Sequence, residues 1–311
     1  MKFPALRRSH MSLAVFMALA CSAASAQISS TVTVTQQGNG NTAYAEQFLP
    51  EPNGSNATIT QVGNNNHVGG PGGTTDGLRQ IDTPSGSYAQ VQQTGTGNNA
   101  GLTQTGLVGS PTGGVIRQTG NANFATLRQE GGGDMFGRIN QNGSANRASV
   151  LQIDSGTTGG ESIQNGIGNL LTVVQRGTAY APPIVEQNGD GNIVEALIDN
   201  NPFGAPTIRQ NGTRNIAATL QTDSNESNID ILQVGTQNST SATQQGDLDI
   251  ATVVQDGIGN RASIIQYGTS NLASVTQRGN VNTAFVRQEG QNYVTNVSQV
   301  GSGNYHYTYQ H

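Results

Sequence analysis

Glutamine recurs every eleven residues over the last quarter of the chain: Gln233, Gln244, Gln255, Gln266, Gln277, Gln288, Gln299 and Gln310. Two residues after each of the first seven stands a glycine: Gly235, Gly246, Gly257, Gly268, Gly279, Gly290 and Gly301. Three residues further on, Asn238, Asn260, Asn271, Asn282 and Asn304 fill five of the seven slots, with Asp249 and Tyr293 in the other two. A register held over seven cycles marks a repeat protein, in which one unit cannot bury its own apolar face and neighbouring units must stack.

Counted from its asparagine, one unit reads Asn260-Arg261-Ala262-Ser263-Ile264-Ile265-Gln266 and then Tyr267-Gly268-Thr269-Ser270. A strand sends alternate side chains to opposite faces. The third position is Thr240, Ala251, Ala262, Ala273, Ala284, Thr295 and His306; the fifth is Ala242, Val253, Ile264, Val275, Val286, Val297 and Thr308. One face is therefore small, then mostly β-branched, then glutamine, and this is the face expected inside. The four remaining residues make a corner, whose glycine supplies a positive φ without a Cβ clash and whose asparagine tolerates the left-handed region. Period-two patterning and recurrent glycine disfavour helix.

Two such arms close a coil of about twenty-two residues, and stacked coils lie about 4.8 Å apart in parallel. Identical residues then form ladders, and glutamine and asparagine side chains bond from coil to coil. A single coil would leave those amides buried and unpaired, at about 1–3 kcal/mol each. The fold expected is all-β, a narrow two-sheet β-solenoid of strand-turn-strand repeats with about twelve coils and a length of about 58 Å.

The same Gln-x-Gly-x-x-Asn signature starts upstream at Gln36, Gln61, Gln93, Gln118, Gln141, Gln164, Gln187 and Gln210. Second-arm glutamines follow at Gln47, Gln104, Gln129, Gln152, Gln175 and Gln221. From Gln118 to Gln233 the coils are twenty-three residues long, one arm of eleven and one of twelve. Loop excursions near residues 48–57, 68–87 and 107–114 are expected to leave corners of the stack. Residues 27–311 read as one solenoid without a domain boundary. Neither end carries an obvious polar cap, so both terminal coils expose unpaired ladders that complement each other head to tail. Such a contact does not close on itself and gives a filament.

Residues 1–26 read as a secretory signal peptide: Lys2, Arg7 and Arg8, an apolar run over residues 11–20, and the small-x-small site Ala24-Ser25-Ala26. Cys21, the single cysteine, lies inside it, and Ala18 stands where a lipoprotein signal would place leucine. Cleavage takes the net charge from −5 to −8 and leaves only arginines as basic residues. This acidic balance argues against nucleic acid as a partner. No other stretch is long and apolar enough to span a membrane. With 33% hydrophobic and 5% aromatic residues the chain cannot fill a thick globular core, so the periodicity has to place the few apolar residues it has.

The segment Gln255-Asp256-Gly257-Ile258-Gly259-Asn260-Arg261-Ala262-Ser263-Ile264-Ile265-Gln266 resembles the curlin repeat of curli amyloid subunits, as do residues 93–104, 118–129 and 141–152. The ending Ser298-Gln299-Val300-Gly301-Ser302-Gly303-Asn304 resembles a terminal repeat of the major subunit. The resemblance implies secretion through a dedicated outer-membrane pore, an unfolded exported form and nucleated folding at the cell surface. It further implies a nucleator subunit as partner and an adhesive fibre of the biofilm matrix. This chain has more repeats than the family's familiar subunits. It also lacks a long glycine-rich segment between leader and first repeat, where the family's secretion-targeting region lies.

No catalytic residue, cofactor or metal is expected. His10, His67, His306 and His311 show no metal-ligand spacing. Asp247-Leu248-Asp249 and Gly131-Gly132-Gly133-Asp134 read as solvated corners, with Asp134 and Asp249 in asparagine slots. Tyr305, Tyr307 and Tyr309 share the outward face, as a β-propensity stripe or an adhesive surface. A solenoid enzyme would need larger coils with clustered acids. A surface- or sugar-binding solenoid would need a Thr-x-Thr ladder, for which Thr31, Thr33 and Thr35 give one instance.

Overall fold

A strand whose apolar residues alternate with polar ones needs a hydrogen-bonding neighbour on each edge and a second layer over its apolar face. The chain supplies both by coiling. A computed structural model describes residues 30–49, 54–69, 75–109, 111–156 and 158–311. The leader, its cleavage site, Cys21 and His10 lie outside the described residues. The chain alternates between two parallel sheets. One has twelve strands, from Thr31–Gln37 to Val294–Ser302, and the other fourteen, from Thr42–Ala43 to Tyr305–Gln310. This is a two-sheet β-solenoid of twelve coils.

Register is like on like. Gln255 pairs with Gln277 and Gln277 with Gln299, while Gly257, Gly279 and Gly301 pair in the same way. The offset between paired glutamines is 25, 32 and 25 residues in the first coils, 23 through the middle and 22 in the last third. Between the sheets lies a core one or two side chains thick. Ile59, Val91, Ile116 and Ile139 form one buried column of the first sheet, and Ala262 with Ile264 typify the second. Each buried aliphatic contributes about 1.5–3 kcal/mol. A coil needs only a few of them because glutamine fills the rest of its interior.

The corner differs from the sequence expectation. From Asn228–Thr236 to Val294–Ser302 the strands run nine residues, as in Ile250–Ile258 and Arg261–Thr269, and include the repeat glycine. Gly257 has a φ of +131°, and a Cβ there would stand 2.0 Å from the carbonyl oxygen of Gly279. Glycine is thus required within the ladder, where the strand bends without losing its pairing. The left-handed corner residue is the one before the asparagine: Gln237, Leu248, Gly259, Ser270, Val281, Asn292 and Gly303 have φ between 55° and 71°. The asparagine itself stays out of that region because its side chain is committed to the interior.

Three further expectations are corrected. Met135, and not Asp134, fills the asparagine slot of its coil: the arm is twelve residues there, so the slot moves on by one. Met135 is buried, while Asp134 is exposed in the left-handed region. Asp249 is no solvated corner but fully buried. The 68–87 excursion interrupts a strand of the second sheet instead of leaving a corner. That strand resumes at Leu78–Ile81, pairing with Ala45–Phe48 and with Leu102 to Thr105 of the next coil. Thr75 from the excursion folds back and donates to the Ala100 carbonyl at 2.6 Å, and Gly101 lacks a side chain where Thr75 sits.

Candidate functional site

Buried amides are tolerated only where every donor and acceptor finds a partner. Two glutamine columns, the second interrupted once, and one asparagine column meet that condition by repetition. In the first sheet the column runs Gln36, Gln61, Gln93, Gln118, Gln141, Gln164, Gln187, Gln210, Gln233, Gln255, Gln277 and Gln299. Each Nε2 donates to the next Oε1 at 2.6–3.0 Å. The second Nε2 hydrogen crosses to a backbone carbonyl of the facing sheet, as from Gln255 to Ser239 at 3.1 Å.

The second sheet carries Gln47, Gln80, Gln104, Gln129, Gln152 and Gln175 in one run. Gln221, Gln244, Gln266, Gln288 and Gln310 form another. Gln80 escaped the sequence reading because the 68–87 excursion displaces it from the eleven-residue spacing; the alternation around Leu78-Arg79-Gln80-Ile81 was its only signal. Between the runs the slot holds Ile198, paired with Gln175 and Gln221. Gln175 turns its donor to the Ala181 carbonyl at 2.9 Å, and Gln221 Oε1 is buried without a partner. Ile198→Gln is therefore expected to stabilise the solenoid by about 1 kcal/mol, from one satisfied buried acceptor. A rise in the denaturant midpoint measures it; no rise would mean that a water or local shift already satisfies Gln221.

At the corner following each first-sheet strand, asparagine stands in all twelve coils: Asn41, Asn66, Asn98, Asn123, Asn146, Asn169, Asn192, Asn215, Asn238, Asn260, Asn282 and Asn304. From Asn66 onward each backbone N–H donates to the Oδ1 of the coil before at 2.9–3.1 Å. The Nδ2 also reaches the glycine carbonyl of the coil ahead, as from Asn260 to Gly279 at 2.8 Å. Asn271 belongs to the other corner, between Asp249 and Tyr293. That second column is mixed, with Ser87, Thr112, Met135, Thr158, Ser227 and Asp249 among its members. Of the turn glycines, Gly235, Gly257, Gly279 and Gly301 line the first corner, and Gly246, Gly268 and Gly290 the second.

The columns have a direction. Apart from Gln175 and Gln221, which flank Ile198, the ladder glutamines donate toward the C-terminal coil and accept from the N-terminal side, so Gln299 and Gln310 end with donors while Gln36 and Gln47 begin with acceptors. Asn304 Oδ1 likewise faces outward, beyond the last donor of its column. Among the described residues, the strands Thr31–Gln37, Val294–Ser302 and Tyr305–Gln310 are paired on one edge only.

The outer faces are flatter and plainer. Tyr305, Tyr307 and Tyr309 are exposed on the second sheet; Tyr307 stacks on Phe285 with centroids 5.2 Å apart, and Arg287 lies over Tyr309 at 5.7 Å. The Tyr309 hydroxyl donates to Glu289 at 2.7 Å, which together with Arg287 holds that carboxyl below its ordinary range. Thr33 and Thr35 pair with Thr58 and Thr60, so the threonine motif is two coils deep before Gln90 and Gln92 replace it. The depressions are shallow; one is lined by Glu195, Leu197, Ala218, Leu220 and Ser241. Among the described residues no group of three or more histidine, cysteine or acidic side chains could hold a metal, and no helix is long and apolar enough to cross a membrane.

The family model described as the curlin associated repeat matches the chain at residues 29–63, 235–268 and 268–301. A comparison with curated proteins finds no match. The coils between the matched segments carry the same first-sheet glutamine column without a break.

Proposed function

We propose that this chain, which matches the curlin associated repeat at residues 29–63, 235–268 and 268–301, is the structural subunit of an extracellular, curli-type amyloid fibre, growing head to tail for cell adhesion and biofilm matrix. The observation that supports this most is the directed ladder. The Gln299 and Gln310 donors at one end match the Gln36 and Gln47 acceptors at the other, and strand edges are open at both. A second copy continues every column in register, whereas an isolated molecule leaves its terminal amides to water. In this reading the mature protein begins near Gln27 after export. It crosses the outer membrane unfolded through a dedicated pore, and meets a nucleator subunit at the surface. The ladder glutamines, asparagines and turn glycines are its functional residues, and their function is to be continued by the next molecule. Tyr293 and His306, which replace ladder residues in the last coils, favour nucleation as the second reading.

Residues 27–311 diluted from denaturant are expected to lag and then form fibres with a meridional spacing near 4.8 Å, and preformed fibres should remove the lag. A stable, soluble monomer that ignores seeds would overturn the fibre reading and leave a soluble binding solenoid in its place.

A further inference from the structure

In the second-corner column three consecutive coils place Ser227, Asp249 and Asn271 one above the other. Ser227 Oγ donates to the Gly246 carbonyl at 2.8 Å, and Asn271 Nδ2 to the Gly290 carbonyl at 3.1 Å, each nineteen residues ahead. The same offset from Asp249 leads to the carbonyl of Gly268. Where its neighbours present a hydrogen, Asp249 presents Oδ2, which is buried and has no partner. Its Oδ1 is already engaged by the Asn271 backbone N–H at 2.8 Å, and its own N–H donates to Ser227 Oγ at 3.0 Å. An ionised carboxylate here leaves Oδ2 an acceptor without a donor, away from water. A neutral carboxyl, with its proton on Oδ2, supplies the donor that the column provides on either side.

We propose that Asp249 is a proton-operated lock: the corner closes fully only when its carboxyl is neutral, so that acid favours folding of the C-terminal coils. Its position fits that role, because the equal-armed coils and the Gly246–Gly268–Gly290 column begin at this corner. The surroundings agree. Desolvation raises the Asp249 pKa, against the two hydrogen bonds from Asn271 that lower it, and the Asp247 charge adds to the rise. The other groups of the packed elements are Asp223 and Glu226 in the turn of the coil beneath, Asp230 on its outer face, and Tyr267 and Tyr293 in the coils ahead. Arg261 and Arg278, on the strands of the coil above, stand at the opposite corner. A carboxyl whose folded pKa is raised costs nothing below its unfolded value of about 3.9. It destabilises the fold progressively as pH climbs from there through the folded value.

The test compares the whole parent chain with Asp249→Asn and Asp247→Asn between pH 3 and 8, reading the folded-to-unfolded ratio near the denaturant midpoint by far-ultraviolet dichroism. Asp249→Asn is expected to match the parent at pH 3 and to exceed it by about fivefold or more at pH 7, the size set by one buried unpaired polar group. Asp247→Asn, which removes an exposed charge two residues away and with it only the smallest of the causes acting on Asp249, should keep most of the parent's dependence. Parallel curves for parent and Asp249→Asn, or an equal response in Asp247→Asn, would overturn the lock. The readout is strand formation within the chain, so the proposal survives or fails independently of fibre growth and seeding.

Discussion

Gly257→Ala is expected to be among the costliest single methyl additions at the described residues, together with those at Gly246 and Gly268 of the second corner. The residue sits at φ +131°, and the new Cβ would lie 2.0 Å from the Gly279 carbonyl oxygen, inside any allowed contact. The conformation alone costs about 1–3 kcal/mol in an L-residue. The clash adds to it, because Gly279 cannot retreat: a Cβ on Gly279 would itself stand 2.1 Å from the Gly301 carbonyl, so the coils are already at closest approach. Relief comes only by opening the pairing between Ile250–Ile258 and Leu272–Asn280. The control is Gly156→Ala, where a Cβ meets nothing within 4 Å and φ is not in the left-handed region; its effect should stay within about 0.5 kcal/mol. Denaturant midpoints decide, and equal shifts in the two variants would show that close approach is not why glycine recurs.

Gln255→Leu should come next. Gln255 Oε1 accepts from Gln233 Nε2 and Thr240 Oγ1, both at 2.9 Å, while its Nε2 donates to Gln277 Oε1 at 2.9 Å and to the Ser239 carbonyl at 3.1 Å. Leucine keeps the volume and orphans partners on both sides, at about 1–3 kcal/mol for each group left buried and unsatisfied. A loss of about 3 kcal/mol, with slower fibre growth, is the expected result. Ser263→Ala on the outward face of the neighbouring arm should be nearly silent. If serine and glutamine variants behaved alike, the interior ladder would contribute nothing beyond space filling. Ile198 makes the reciprocal case: the chain tolerates one apolar slot, and the cost falls on the orphaned Gln221 Oε1.

Much of this was legible from spacing. Period-two alternation gave Ala262, Ile264 and Gln266 as interior, and all three are buried. The eleven-residue count gave two arms to a coil. The corner was less legible, because a list of residues between two strands does not say which one bends. Glycine was the natural choice, yet Ser270, Val281 and Asn292 take the left-handed turn, and glycine serves the approach of one backbone to the next. Asn271 looked like one more copy of Asn260, but alternate arms end at opposite corners, so it stacks on Asp249 instead. Asp134 was misplaced for a related reason: a twelve-residue arm shifts the slot by one.

Sequence alone determined the unit, its parity and its need for a neighbour, since these follow from local alternation and from amides that no single coil can satisfy. Tertiary structure decided what depends on which coil lies above which. It put Gln80 into a column that the spacing had lost, set Ile198 across the second column, and buried Asp249 where its neighbours donate. Those facts arise from pairings 19 to 33 residues apart. Stacking converts a position in the chain into a position in a column, and only there does an unmatched donor or acceptor acquire a cost.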